Sequence, residues 1–314
     1  MKNLLLPVKW IKSHLWVSSL SAFVIVMLLL SFFCNPNEKS APDNTSVKIC
    51  TPYIPEELTF CDEPVPLKYF DVRESLEREI IINAYYHSQT ILFLKKGKRF
   101  FNEIEPILKT NKIPEDFKYL MVAESGFQDI VSPAGAAGQW HFLEATAREY
   151  GLEVNDEVDE RYNLAKSTGA ACKYFQESYG IYKNWTLVAA SYNGGRRGVD
   201  RQIEKQGETN YYNLLFADET ARYIYRILAI KLVFENPEKY GFNLADSEIY
   251  PLIPCKEVKV DSTITDMGSF AKELGINYKL LKILNPWLRD RKLTNTRKKE
   301  YTLKIPLEDS REIY

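Results

Sequence analysis

The chain has 314 residues, of which 26% are charged, and its formal net charge at pH 7 is -1. Binding to nucleic acid draws on clustered positive charge, so this balance argues against nucleic acid as the main partner. The length has room for one sizeable domain and one small one once the two ends are subtracted. The three histidines and five cysteines show no metal-ligand spacing. We therefore expect no metal and no other cofactor.

The first 34 residues have the features of a membrane segment. Three lysines lie within the first twelve residues, and a stretch of twenty residues without a charge follows from Leu15 to Cys34. That length can span a bilayer, and basic residues ahead of it predict a cytoplasmic start and an exported remainder. The residues before Cys34 lack the small-residue pattern of a signal cleavage site, which favours an uncleaved anchor. A cleaved signal and a lipoprotein signal ending at Cys34 stay open as alternatives.

Residues 35–70 are rich in proline, asparagine, acidic residues and serine, and this composition predicts a linker. If the compartment permits disulfides, Cys50 and Cys61 could close a short loop here, although the connectivity stays open.

A mainly α-helical domain is predicted for residues 71–245. Apolar residues at helical spacing predict one long helix over about 72–95 and a second over about 99–108, and few stretches alternate with a period of two.

Glu124 is the candidate catalytic residue. Pro114 suits a first helical turn, and Gly126 is predicted to end the helix just past Glu124. Burial at an apolar helix end, together with the negative end of the helix dipole, raises the pKa of a carboxyl towards the range that a general acid needs. The alternative is an exposed glutamate in the last turn of a helix.

Three further segments carry candidate site residues. Residues 132–142 are rich in glycine and alanine, residues 189–195 end a helical run in a Gly-Gly turn, and residues 219–223 begin a helix. The glycines let a ligand approach the backbone closely, and tyrosine and asparagine can bind it. Taken singly, each segment is equally typical of core tyrosines and plain turn residues.

In order and spacing, these segments resemble the soluble-lytic-transglycosylase family of peptidoglycan-cleaving enzymes, which have a goose-lysozyme-like catalytic fold. The matching blocks are Glu124-Ser125, Ser132 to Gly138 with Trp140 and Phe142, Ser191 to Gly195, and Glu219-Thr220 with Tyr223. The resemblance covers residues 70–242. Within the family the chain looks most like the membrane-bound D-type enzymes, which pair this domain with C-terminal LysM modules.

Residues 246–314 are predicted to form such a module. Alternation predicts strands at 257–260 and 301–306, and two short helices lie between them, so a βααβ unit results. It resembles one divergent LysM module, which departs from the pattern by having Val260 where glycine is usual. Because every candidate site residue lies upstream, we expect a chain shortened to end near Asn243 to fold and to cleave.

The resemblance implies a mechanism with a single carboxylate. Glu124 would protonate the oxygen that links MurNAc to GlcNAc, and would then take the proton of the muramoyl C6 hydroxyl, which leaves a 1,6-anhydromuramoyl end. His141 departs from the family, which commonly has glutamine there. The residues implied to contact or position the sugar are Ser125, Ser132, Gly138, Trp140, His141, Tyr192, Asn193, Glu219 and Tyr223.

The expected partner is therefore the glycan strand of peptidoglycan, with membrane attachment through residues 1–34 and the catalytic domain in the periplasm; whether there are protein partners stays open. Two alternatives remain. A hydrolytic muramidase would need Asp129 or another carboxylate to activate water. A non-catalytic scaffold would only bind the wall, with Glu124 vestigial.

Overall fold

The computed structural model describes residues 51–313, and the predicted anchor and the first part of the predicted linker, residues 35–50 with Cys50, lie outside them. No helix within the described range is both long and apolar enough to cross a membrane. The larger part is α-helical, as predicted. Its helices are α1 (Phe70–Tyr85), α2 (His87–Thr110), α3 (Phe117–Ser125), α4 (Glu144–Glu149), α5 (Leu164–Tyr182), α6 (Trp185–Gly194), α7 (Arg196–Gln206) and α8 (Asp218–Glu235).

The first two helices differ from the prediction. The single helix expected over 72–95 is wrong, because the chain breaks at Tyr86, where φ is -88° and ψ is 61°. The segment expected as a separate helix over 99–108 belongs to α2. At the break, the hydroxyl of Thr90 donates to the carbonyl of Asn83 at 2.6 Å. This bond satisfies a carbonyl that a continuous helix would have bonded internally.

Helix α8 lies at the centre of the core. It packs against α1, α3 and α6, and most of its side chains from Tyr223 to Val233 are buried. Helix α3 is short, and its apolar residues Phe117, Leu120 and Met121 are fully buried. The ends of α3 and α8 that carry Glu124 and Tyr223 therefore meet inside the domain.

Part of the predicted linker belongs to this core. Strands β1 (Thr59–Phe60) and β2 (Glu63–Pro64) form a small antiparallel hairpin, and Phe60 is completely buried. The carboxylate of Glu63 accepts the backbone N–H groups of Trp185 at 2.5 Å and Thr186 at 2.9 Å. It thereby satisfies donors that the first turn of α6 leaves free. The hairpin thus fixes the helix that carries Tyr192 and Asn193.

The C-terminal part is the βααβ unit that the sequence predicts. Strand β3 (Cys255–Val260) pairs antiparallel with β4 (Tyr301–Pro306), and α9 (Met267–Glu273) and α10 (Tyr278–Leu284) lie between them in sequence. Its apolar cluster includes Met267, Leu281 and Leu303. The same cluster takes in Ala137, Val158 and Tyr162 of the helical domain. The module is therefore packed on the helical domain.

Candidate active site

Glu124 lies in the last turn of α3, which stops at Gly126 in a left-handed conformation with φ of +57°. The Glu124 side chain is 14% exposed. Burial raises the pKa of this carboxyl to about 7, and the charge of Glu219 acts in the same direction. The hydrogen bond from Tyr223 and the charge of Arg226 act against them. At neutral pH the carboxyl is therefore divided between its acid and its base form, as a group that both gives and takes a proton requires.

Two tyrosines lie beside this carboxyl, of which Tyr223 is buried and Tyr192 is half-buried. The hydroxyl of Tyr223 donates to Oε1 of Glu124, and the hydroxyl of Tyr192 donates to the carbonyl oxygen of Trp140 at 2.6 Å. Burial, followed by the nearby charge of Glu124, raises the pKa of both phenols well above the usual value. Both tyrosines therefore remain protonated donors at neutral pH.

His141 faces the other oxygen of the same carboxyl. Its Nδ1 lies 3.7 Å from Oε2 of Glu124. Burial lowers the pKa of the imidazole, so the ring is neutral at pH 7. Its buried Nε2 has no hydrogen-bond partner among the described residues. An unpaired buried nitrogen calls for an explanation, and a ligand in the site would supply its partner.

The end of α6 and the start of α8 are bonded together beside the carboxyl. The hydroxyl of Thr220 donates to Oδ1 of Asn193 at 2.9 Å, and Nδ2 of Asn193 lies 3.4 Å from Oε1 of Glu219. Glu219 itself is exposed. This arrangement is consistent with an organising role for Glu219, because an exposed carboxyl lacks the desolvation that tunes Glu124.

Four other candidates contact protein atoms away from the carboxyl. Ser125 is 4% exposed, and its hydroxyl lies 3.0 Å from Oε1 of Gln139. Trp140 is fully buried, and its Nε1 donates to the hydroxyl of Thr168 at 2.9 Å. The hydroxyl of Ser132 accepts the backbone N–H of Ala136 at 3.0 Å. Direct sugar contact by these residues stays a prediction, since their observed contacts shape the loop at 132–142.

Gly138 is the fourth of these candidates. It packs against Arg161, a residue that the sequence pattern did not identify as a candidate. A Cβ added at Gly138, where φ is +75°, would overlap the carbonyl oxygen of Arg161. Nη1 of Arg161 donates to the carbonyls of Gly135 at 2.9 Å and Phe142 at 3.2 Å, and its Nη2 pairs with Asp159 at 2.7 Å. Arg161 and Asp159 are both buried. In the sequence they form part of an ordinary charged run, so no local signal distinguishes them.

A further carboxylate near this loop is Asp129, which the muramidase alternative would use. It is exposed, and its Oδ1 accepts a hydrogen bond from Nε2 of Gln139 at 2.8 Å. Asp129 is not among the groups that shift the pKa of Glu124. Across residues 51–313, no group of three or more acidic, histidine or cysteine side chains is arranged to hold a metal ion.

Comparison with known families agrees with this architecture. Residues 102–215 match the family described as the transglycosylase SLT domain, and residues 256–309 match the soluble lytic transglycosylase C-terminal LysM-like domain. The chain therefore carries an SLT-type, lysozyme-like domain followed by a LysM-like domain, which confirms the predicted fold class.

The particular relatives that match are two Escherichia coli proteins, one from strain K12 and one from strain O6:H1 (CFT073), each called membrane-bound lytic murein transglycosylase D. Each is 26% identical to the chain over 220 residues. The matched region covers 68% of this chain and 47% of each relative, so the chain spans about half the length of the curated relatives it matches. The predicted resemblance to D-type enzymes is thereby confirmed.

Proposed function

We propose that this protein is a peptidoglycan lytic transglycosylase, which cleaves the β-1,4 bond between MurNAc and GlcNAc and leaves a 1,6-anhydromuramoyl end. The observation that carries the proposal is the state of Glu124, a largely buried carboxyl within the SLT match that has a pKa of about 7 and accepts a hydrogen bond from Tyr223. A general acid works best when its pKa lies near the working pH.

In the first step, protonated Glu124 gives its proton to the glycosidic oxygen, and the bond between that oxygen and C1 of MurNAc breaks. The family resemblance implies that the substrate's own acetamido group stabilises the cation that develops. Glu124 is left as a carboxylate, and the hydroxyl of Tyr223 stabilises this charge by donating to Oε1.

In the second step, the carboxylate takes the proton of the C6 hydroxyl while the C6 oxygen bonds to C1. Glu124 returns to its acid form, and no water enters the product. Tyr192, Asn193 and His141 would position the sugar.

A hydrolytic muramidase is less well supported. Most glycosidases that use water employ two carboxylates about 5–9.5 Å apart, and the second must activate the water or attack the sugar. Asp129 and Glu219 are both exposed, and Gln139 and Asn193 respectively contact them. A scaffold with a vestigial Glu124 is also disfavoured, since a buried carboxyl without a function is destabilising.

Mass spectrometry of wall fragments tests the proposal. Purified peptidoglycan is digested with the full chain, and Glu124→Gln serves as the matched control. We expect muramoyl ends that lack one water relative to reducing ends, and none with the variant. Reducing ends would establish a hydrolase, and an absence of fragments with the unaltered chain would favour the scaffold.

We further propose that residues 1–34 attach the protein to the membrane, with the catalytic domain in the periplasm. The name of the relatives includes "membrane-bound", which supports a place in the cell envelope. The proposal predicts that the protein fractionates with membranes and that protease outside the membrane removes the catalytic domain. A soluble mature form that begins near residue 35 would show a cleaved signal instead, and acyl label on Cys34 would show a lipoprotein.

A further inference from the structure

The C-terminal module joins the helical domain by backbone pairing. Val158 forms an antiparallel bridge with Leu288, and both side chains are buried. Beside this bridge, the N–H of Asp159 donates to the carbonyl of Trp287 at 2.9 Å. Backbone pairing with buried side chains fixes position more tightly than surface side-chain contacts do, because few alternative arrangements satisfy it.

Side chains at the edge of this bridge hold the same segment. The carboxylate of Glu157 accepts the N–H of Thr294 at 2.5 Å and its hydroxyl at 3.0 Å. The ammonium of Lys299 pairs with Glu153 at 2.5 Å and with Glu160 at 3.0 Å. Residues 153–160 are therefore bound to the module at several points.

The same segment carries Asp159, one partner of the ion pair that holds the active-site loop. Asp159 pairs with Arg161, and Arg161 donates to the carbonyls of Gly135 and Phe142, which lie at the two ends of the loop 135–142. The loop is also closed by a hydrogen bond of 3.0 Å from the N–H of Ala137 to Phe142. Arg161 thus fixes the separation of the loop ends.

The loop places two groups at the reacting carboxyl. His141 belongs to it and faces Glu124, and the carbonyl of Trp140 receives the hydroxyl of Tyr192. A displacement of the loop would therefore move the imidazole and release the Tyr192 hydroxyl. A misplacement of about 1 Å that starts far from the chemistry can lower a rate by about 10²-fold.

We propose that the LysM-like module is part of the catalytic apparatus, because its docking on residues 153–160 holds the Asp159–Arg161 pair, and through it the loop 135–142, at Glu124. Arg161 is accordingly a positioning residue. The inference rests on the proposed transglycosylase function for its kinetic consequence, and it departs from the sequence expectation that the module is dispensable for cleavage. A module that served only to retain the wall would instead raise KM and leave kcat unchanged.

Two matched glutamate substitutions in the full chain test the coupling. Glu157→Ala removes both bonds to Thr294 on the path to the loop. Glu103→Ala removes the contact of α2 with Lys304 of the module at 2.5 Å, which is not on that path. The Glu157 and Glu103 side chains are 19% and 25% exposed, so neither substitution opens the core.

We expect Glu157→Ala to lower kcat by about tenfold with KM nearly unchanged, and Glu103→Ala to keep kcat within about twofold. Glu157→Gln keeps one acceptor and should give an intermediate kcat. Arg161→Lys keeps the charge but loses the planar donor fork, so it should lower kcat at least as much as Glu157→Ala. Parental kcat in both Glu157→Ala and Arg161→Lys would overturn the inference.

Amide hydrogen exchange supplies a second readout that needs no activity. Exchange at residues 136, 137 and 141, whose N–H groups are hydrogen-bonded within the loop, should quicken in Glu157→Ala and Arg161→Lys but not in Glu103→Ala. Unchanged exchange overturns the coupling even if the protein proves not to be a transglycosylase. Anhydro products from the parent, together with unchanged kcat in the variants, would instead contradict the coupling. The proposed function would then remain supported.

Discussion

The hydroxyl of Tyr223 on α8 donates a hydrogen bond to Oε1 of Glu124 on α3, across 99 positions of the sequence. This bond and burial act in opposite directions on the carboxyl. Burial raises the pKa of Glu124, and the hydrogen bond lowers it, with a value of about 7 as the result. The balance of these two effects sets the pH at which the acid form is lost.

Replacing Tyr223 by phenylalanine should therefore move the pH profile. Loss of the donor removes an effect that lowers the pKa of Glu124, so the alkaline limb of kcat/KM should shift upward. A hydrogen bond to a charged group is worth about 1.5–3 kcal/mol, which corresponds to about one pH unit or more. The maximal rate should fall, since the carboxylate formed in the first step loses its donor.

The control is Tyr225→Phe, which alters a buried tyrosine of the same helix that is not among the groups that set the pKa of Glu124. Its alkaline limb should coincide with that of the parent. An unmoved limb in Tyr223→Phe would show that the titration belongs to another group.

Replacing Glu124 by glutamine should lower kcat at least about 10²-fold, because an amide keeps the shape of the side chain but neither gives nor takes the proton. Glycan binding should persist and can be measured by pull-down with insoluble wall. Glu219→Gln is the companion variant. The charge of Glu219 raises the pKa of Glu124, so removing this charge should move the alkaline limb of kcat/KM to slightly lower pH. Most of the maximal rate should remain. A dead but stable Glu219→Gln would require a scheme with two carboxylates.

The same Glu124→Gln variant should change stability in a manner that depends on pH. The pKa of Glu124 is about 7 in the folded protein and 4.5 without the fold, so the native state holds a proton that the unfolded chain releases between these values. Stability from this group is therefore lost as pH rises from about 4.5 to about 7. The variant should match the parent near about pH 4 and exceed it by up to about 3 kcal/mol near about pH 8.

Urea unfolding at both pH values measures this difference. If the variant gained equally at both, the burial of the ionised carboxyl would not be its cause.

The sequence was sufficient for features that depend on short stretches. Gly126 marks the end of α3, so the position of Glu124 at an apolar helix end could be predicted from the residues around it. The βααβ order of the module followed from alternation and spacing. The meeting of Glu124 with Tyr223 could not come from local pattern, and was available only through the family resemblance.

Features that depend on tertiary contacts were missed. No glycine or proline marks the break at Tyr86, so the helical spacing continues across it. Asp159 and Arg161 read as a solvated charged run, since nothing local indicates that both become buried. Phe60 lies in a segment whose average composition is that of a linker, and a single aromatic residue in a two-residue strand leaves no periodicity to detect.

Replacing His141 distinguishes a residue that only contacts the sugar from one that takes part in proton transfer. Its ring is neutral at pH 7 because burial lowers its pKa, and it stands where the resembled family commonly has glutamine. We expect His141→Gln to keep kcat within about threefold and to leave the alkaline limb unmoved, since a neutral ring contributes no charge to Glu124. KM should change, because the unpartnered Nε2 would contact the sugar.

If His141 were instead cationic, its replacement by glutamine should shift the alkaline limb strongly. A cationic imidazole 3.7 Å from Oε2 of Glu124 would stabilise the carboxylate, and removing it would move the alkaline limb upward. Two unit charges about 4 Å apart interact by about 4 kcal/mol at an effective dielectric constant of about 20, so the movement could not be overlooked. The matched control is His87→Gln, an exposed histidine on α2 whose ring lies 6.1 Å from that of Phe242. Parental kinetics in the control and an upward limb in His141→Gln would show that His141 takes part in proton transfer as a charged group.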